Sequence, residues 1–248
     1  MKLNLQVWRQ AGPDSAGRFE NFAVDDLEPN MSLLELFDKL NEQLTDAGKD
    51  PVAFESDCRE GICGSCGVTV NGRPHGPDHN TPSCHQRLRG FTDGSTLRVE
   101  PLRSGAFPVV RDLVVDRRAL DRVIQAGGWV SVDAGTAPDA DALPVDHDTV
   151  EHAMDYAACI GCGACVAACP NGSAHLFLGS KMTHMALLPM PKQERTRRGR
   201  NMVEQAETEF GPCSNYGECY QVCPAEVPFS AVAAVQKERL RSALQRKL

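Results

Sequence analysis

The sequence has no long apolar run and few aromatic residues, which form 6% of its 248 residues. The nearest approach to a membrane span, residues 174–190, is broken by Lys181, His184 and Pro189. Because a spanning helix needs about 20 largely apolar residues, we expect no membrane span. The opening segment MKLNLQVWRQ lacks the apolar stretch of a secretion signal, and acidic residues from Glu20 onward argue against a transit peptide. We therefore expect a protein that stays in the compartment where it is made.

An excess of positive charge is also absent, since the net charge is -7. This balance argues against nonspecific binding to nucleic acid.

What the sequence does have is 11 cysteines, an odd number set at short, regular spacings. In a reducing compartment such cysteines are better candidates for metal ligands than for disulfides. We therefore expect the chemistry of this protein at its cysteines.

The first half of the sequence has the periodicity of a small sheet with one helix. Residues 3–7 alternate apolar and polar side chains as in a half-buried strand, and residues 19–24 offer a partner, so we predict an opening hairpin. Ser32 begins a capping-box pattern ahead of a helix of about four turns. Residues 67–70 and 96–100 alternate again and complete the sheet.

The second half has a different periodicity. From residue 113 the strand pattern disappears, and Leu113, Leu120 and Val123 are spaced as on one face of a helix. A chain longer than about 200 residues usually forms more than one domain. We therefore predict an α+β chain with its boundary near residues 104–108, dividing it into domains at 1–105 and 106–248.

The segment CREGICGSC contains the first cysteine run. Its C-x4-C-x2-C spacing, with a fourth cysteine later in the sequence, is typical of plant-type 2Fe-2S sites. We predict that Cys58, Cys63, Cys66 and Cys84 bind a 2Fe-2S cluster. A structural zinc site is the alternative, although zinc sites usually pair two short C-x2-4-C units.

Three histidines in or beside the spacer between Cys66 and Cys84 are further candidates for ligands. They are His75, His79 and His85. Because four cysteines already fill the site, we expect these histidines to lie on the surface.

The segment CIGCGACVAACP carries the most specific motif, C-x2-C-x2-C-x3-C-P. In bacterial ferredoxins the fourth cysteine of this run ligates the other cluster. The segment CSNYGECYQVCP repeats the frame with Tyr216 at the second cysteine position. If the fourth cysteine of each run ligates the other cluster, one site has four thiolates and the other has only three. We interpret the first as a 4Fe-4S site and the second as a 3Fe-4S site with its vacant corner at Tyr216. The 4Fe-4S ligands are then Cys159, Cys162, Cys165 and Cys223, and the 3Fe-4S ligands are Cys169, Cys213 and Cys219.

With these three cysteine groups in this order, the sequence resembles the iron-sulfur subunits of the succinate dehydrogenase and fumarate reductase family across essentially its whole length. The resemblance implies a β-grasp, plant-type ferredoxin-like domain followed by an all-helical, bacterial-ferredoxin-like domain. It also implies a catalytic subunit that carries FAD, and a membrane anchor. Electrons from succinate would pass from FAD through the 2Fe-2S, 4Fe-4S and 3Fe-4S clusters to quinone. The chain would then be peripheral, on the cytoplasmic side of a bacterial cell membrane, with no bond-breaking residues of its own.

Two features differ from the family pattern. The spacer between Cys66 and Cys84 is longer than expected, and residues 171–175 (NGSAH) replace the aromatics, notably a tryptophan, of members with a quinone pocket beside the 3Fe-4S cluster. The second difference favours haem or another centre in the anchor as the next acceptor, with menaquinone as the final one. His175 and Tyr216 are candidates for contacts near this exit.

Three alternatives to this function are open at the level of sequence. The first is the same subunit working in the fumarate-reducing direction. The second is a free-standing ferredoxin that carries several clusters. The third is a zinc-stabilised interaction module without a redox role.

Overall fold

The fold begins with an antiparallel hairpin. The computed structural model, which describes residues 1–129 and 145–245, has strand β1 at Leu3–Arg9 and strand β2 at Arg18–Val24. The two strands pair along their whole length, from Leu3 opposite Val24 to Arg9 opposite Arg18. The predicted opening hairpin is confirmed.

Helix α1 spans Leu33–Asp46 and begins at the predicted cap. The side chain of Ser32 accepts a hydrogen bond from the Glu35 amide (3.2 Å), and the Glu35 carboxylate accepts one from the Ser32 amide (2.6 Å). This reciprocal pair satisfies two amides that a helix start would leave without partners. The apolar face of α1 packs into the core beneath the sheet.

Strands β3 (Val68–Val70), β4 (Arg73–Pro74) and β5 (Thr96–Pro101) complete a five-stranded sheet of order β2-β1-β5-β3-β4. The β1–β5 pair is parallel and the other pairs are antiparallel. A parallel pair requires a long crossover connection. In this chain the connection contains β2, α1, the whole first cysteine run, β3 and β4.

A second hairpin follows the sheet, with β6 at Val109–Arg111 and β7 at Val114–Val115. The prediction that strand pattern ends at residue 113 was wrong, and the later half is not purely helical. Asp112 forms the turn with a φ of 47°, and its buried carboxylate accepts hydrogen bonds from the amides of Gln10 and Ala53, both at 2.9 Å. These long-range contacts carry Leu113 into the core of the sheet instead of onto a helix face.

The elements of secondary structure that follow in the described chain are helices. Helix α5 lies against α3, α6 and α8. At Gly179 on α5 an added Cβ would lie 2.0 Å from the carbonyl oxygen of Ala231, so the two backbones touch. The helices are α2 (Arg118–Val123, continued by a π-turn at Ile124–Gly128), α3 (His147–Ala157), α4 (Ala164–Ala168), α5 (His175–Leu187), α6 (Lys192–Glu209), α7 (Glu218–Gln221) and α8 (Ala231–Gln245).

The described residues thus form a mixed α+β chain with its sheet first and its helices later, which confirms the coarse prediction. Cys66 and Cys84 belong to the core beneath the sheet. Five of the later cysteines pack against two smaller apolar clusters among the helices: Cys159, Cys165, Cys213, Cys219 and Cys223. Among residues 1–129 and 145–245, no helix combines the length and apolar character needed to cross a membrane.

Candidate iron-sulfur sites

The first site lies in the loop that joins α1 to β3, closed by Cys84. Cys66 and Cys84 are buried, whereas Cys58 and Cys63 are partly exposed. Burial, together with the charge of the nearby Cys84, raises the pKa of the Cys66 thiol to about 12. The structure therefore brings the four predicted cysteines of the first site together, with one pair inside and the other facing outward.

Polar groups of the same loop point at the outer pair of sulfurs. The amide of Glu60 donates to Sγ of Cys58 (3.3 Å) and the amide of Ser65 to Sγ of Cys63 (3.5 Å). Burial raises the pKa of Cys63, but hydrogen bonds from Ser65 and from Cys58 outweigh burial and bring the pKa to about 7. These groups favour a negatively charged sulfur, as a thiolate ligand requires.

The spacer histidines have different surroundings. His79 and His85 are exposed as expected, but His75 is buried, so that expectation was wrong for His75. Its Nδ1 lies 3.0 Å from the hydroxyl of Ser83, the residue before Cys84. Burial and the charge of Arg117 lower the pKa of His75 to about 4, so the ring is neutral and supports the Cys84 turn from within the core.

The second site lies between α3, α4 and the segment after α7. One cavity is lined by Cys159, Cys162, Cys165 and Cys223. Burial, partly offset by the amide of Ala164 and reinforced by the charges of Cys159 and Cys223, raises the pKa of Cys162 to about 12. The crossover cysteine Cys223 therefore lies with the first three cysteines of the earlier run, although about 60 residues separate them in sequence.

The third site is lined by Cys169, Cys213 and Cys219 together with Tyr216. Burial raises the pKa of Cys219 to about 11, and Cys169 and Cys213 act in the same direction across the site. The amide of Asn215 donates to Sγ of Cys213 (3.4 Å). Tyr216 is 58% exposed, so the tyrosine that replaces a cysteine lies on the outer side of the site.

His175 lies between the third site and an adjoining cavity lined by Glu207, Phe210 and Arg239. Its Nδ1 is 2.8 Å from the hydroxyl of Ser173. Its Nε2 is buried and has no hydrogen-bond partner within the described part of the chain. Burial lowers the pKa of His175, and the charge of Arg239 lowers it further. The candidate His175 is thus a half-buried histidine beside the third site.

The first and second sites touch through their backbones. At Gly64, which has a φ of 72°, an added Cβ would lie 2.3 Å from the carbonyl oxygen of Ile160 and 3.0 Å from the amide nitrogen of Cys162. Only glycine fits this approach without displacing backbone atoms. The loop of the first site therefore rests directly on the loop of the second.

The long spacer between Cys66 and Cys84 also reaches the helical half. The Arg73 guanidinium donates to the carbonyl oxygen of Gln221 (2.8 Å), and the Asn80 side chain donates to the carboxylate of Glu226. Gln221 and Glu226 flank Cys223, the crossover cysteine. The spacer therefore holds the first half against the last cysteine run, a role that the sequence did not reveal.

Comparison with known families agrees with this arrangement. Residues 4–122 match a family profile described as a 2Fe-2S iron-sulfur cluster binding domain. Residues 152–224 match a profile described as a 4Fe-4S dicluster domain. The cysteines of all three sites fall inside these two ranges.

Individual proteins are similar over most of the chain. The succinate dehydrogenase iron-sulfur subunit of Bacillus subtilis is 26% identical over 95% of this chain and 92% of its own length. The fumarate reductase iron-sulfur subunits of Escherichia coli and Mycobacterium tuberculosis are each 30% identical over 77% of this chain and 74% of their own lengths. A chain of the Mycobacterium smegmatis Sdh1 complex in the apo form has the same fold, with a TM-score of 0.71, 22% identity and coverage of 100% of this chain and 98% of that one.

Proposed function

The chain belongs to the family of succinate dehydrogenase and fumarate reductase iron-sulfur subunits, and we propose that it carries electrons from a subunit with FAD to a membrane anchor. The domains that bind 2Fe-2S and 4Fe-4S clusters are both present. The observation that carries the proposal is the convergence of the cysteines into three neighbouring groups along one chain. Such a series suits stepwise electron transfer rather than chemistry on a substrate.

We assign the 2Fe-2S cluster to the first site, the 4Fe-4S cluster to the second and a 3Fe-4S cluster to the third. Thiolate sets of four, four and three ligands fit these clusters, and the amides directed at the sulfurs fit their negative charge. When bound, the clusters supply reversible one-electron steps. The protein contributes burial, which covers Cys66 and Cys84 of the first site and Cys162 of the second but leaves the three cysteines of the third site partly exposed, and so would tune the sites differently.

The finer description of the fold belongs to the same proposal. Residues 1–105 would form a β-grasp domain and residues 106–248 a bacterial-ferredoxin-like domain that begins with the β6–β7 hairpin. The five-stranded sheet crossed by α1 supports the first assignment. The two cysteine runs among short helices support the second.

The partners follow from this role. The first site would face the subunit with FAD, and the third site would face the anchor on the cytoplasmic side of the membrane. Tyr216, Tyr220 and Phe229 expose apolar surface around the third site, which supports a contact there. Electrons would continue to haem or another centre in the anchor and finally to menaquinone.

Purification of the tagged chain from its native membranes tests the proposal. We expect a flavoprotein and a membrane anchor to co-purify, and succinate to reduce the cluster signals of the complex. A monomer whose clusters do not respond to succinate would instead indicate a free-standing ferredoxin. The ratio of succinate oxidation to fumarate reduction in the purified complex gives the direction of flux.

A further inference from the structure

Arg117 joins the loops of the first and second sites. It stands between β7 and α2, outside every cysteine run. Its Nη1 donates to the carbonyl oxygen of Gly64 in the first loop and to that of Cys162 in the second (3.3 Å). One guanidinium group thus holds the two loops at the place where their backbones touch.

The side chain of Arg117 is held in this position by packing and by charge. It is 19% exposed, and its Nη2 donates to the carboxylate of Glu55 at 3.1 Å. An added Cβ at Gly163 would lie 3.6 Å from Cδ of Arg117, so the aliphatic stem runs along the second loop. The planar fork of an arginine suits this arrangement because it can donate to several acceptors in one plane.

The charge of Arg117 reaches the second cysteine loop and the core beneath the first site. Nη1 of Arg117 donates to the carbonyl oxygens of Gly64 and Cys162, so a positive charge lies beside both cysteine loops. It also disfavours protonation of His75, which supports the Cys84 turn. Glu55, the partner of Arg117, is 43% exposed, so water screens the carboxylate more than the guanidinium.

We propose that Arg117 is a positioning residue for electron transfer between the first two clusters. With both clusters bound, one electron would leave the reduced first cluster and enter the second. The hydrogen bonds of Arg117 fix the separation of the two loops, and its charge would favour the reduced, more negative form of each cluster, which would raise both potentials. The inference rests on the proposed function, because it requires both clusters to be bound.

Three variants of the complex separate the two effects. Arg117→Gln removes the charge and most of the bridge, whereas Arg117→Lys keeps the charge but cannot reach all three acceptors at once. Arg118→Gln is the control, since Arg118 is 76% exposed and pairs only with Asp116 among the contacts described for it. EPR during stepwise reduction gives the potentials of the first and second clusters and the magnetic interaction between them.

We expect Arg117→Gln to lower both potentials and weaken the magnetic interaction, and Arg117→Lys to weaken the interaction with potentials near those of the wild type. Arg118→Gln should match the wild type in both. The inference would be overturned if the two reduction potentials and the magnetic interaction in Arg117→Gln equal those of the control. If the complex with Arg117→Gln does not assemble, Arg117→Lys provides the test. A magnetic interaction in Arg117→Lys as strong as in the wild type would then overturn the inference. Absence of cluster signals in the wild-type complex would instead overturn the proposed function.

Discussion

The α-carbon of Gly64 lies so close to the carbonyl oxygen of Ile160 that a Cβ on Gly64 would approach that oxygen to 2.3 Å. Gly64 belongs to the first cysteine run and Ile160 to the second. The contact therefore joins the two sites without any side chain between them. With clusters bound, this close approach would keep the first two clusters near one another.

Replacement of Gly64 by alanine tests the importance of this contact. The positive φ costs about 1–2 kcal/mol for a residue with a Cβ, and the clash with Ile160 adds about 1–3 kcal/mol. We expect a lower midpoint of thermal unfolding and a weaker magnetic interaction between the first two clusters. Gly72→Ala is the matched control, because Gly72 has a φ of 80° but open space around it. A loss in Gly64→Ala no larger than in Gly72→Ala would contradict the proposed contact.

The crossover of ligands can be tested with one serine substitution in each run. If Cys223 belongs to the second site, Cys223→Ser perturbs the 4Fe-4S signal and leaves the oxidised 3Fe-4S signal in place. If Cys169 belongs to the third site, Cys169→Ser removes the 3Fe-4S signal. EPR of the two purified variants measures both effects. The opposite pattern would mean that each run ligates its own cluster.

If the vacant corner lies at position 216, the residue there sets the number of iron atoms in the third cluster. Tyr216→Cys supplies a fourth thiolate where Tyr216 lines the site, so we expect incorporation of a fourth iron, loss of the oxidised 3Fe-4S signal and a lower reduction potential. Tyr216→Phe keeps the ring without adding a ligand and should retain the signal. An unchanged 3Fe-4S signal in Tyr216→Cys would argue against a vacant corner at this position.

The spacer contacts predict a local loss of stability. Removing the Arg73 and Asn80 side chains together breaks two hydrogen bonds to the last cysteine run, each worth about 0.5–1.5 kcal/mol. We expect faster amide hydrogen exchange in helix α7 (Glu218–Gln221) of the double alanine variant. Arg89→Ala serves as the control, because Arg89 donates to Asn30 within the first half (2.9 Å). Equal exchange in α7 for the two variants would show that the spacer does not hold this helix.

Local patterns in the sequence were sufficient for several elements. The alternation in residues 3–7 and the cap at Ser32 depend on residues a few positions apart, and the structure has both features as predicted. The cysteine runs could be recognised in the same way, because the ligand spacing within each run is a local property. The sequence therefore predicted the coarse fold and pointed to three sites.

Long-range contacts could not be predicted in the same way. Arg117 sits in the charged segment DRR, while its acceptors Gly64 and Cys162 are 53 and 45 residues away. The burial of His75 depends on the sheet around it, and β7 depends on the buried carboxylate of Asp112. A single sequence contains no signal that pairs such distant positions, so the links between the sites required the structure.

The proposed function requires three clusters of different type in series within this chain. Low-temperature EPR of the anaerobically purified complex, oxidised and then reduced stepwise, tests it most directly. We expect a 3Fe-4S signal in the oxidised sample, followed on reduction by 2Fe-2S and 4Fe-4S signals that interact magnetically. Absence of the oxidised 3Fe-4S signal from intact, iron-replete protein would contradict the assignment of Cys169, Cys213 and Cys219 as a three-ligand site.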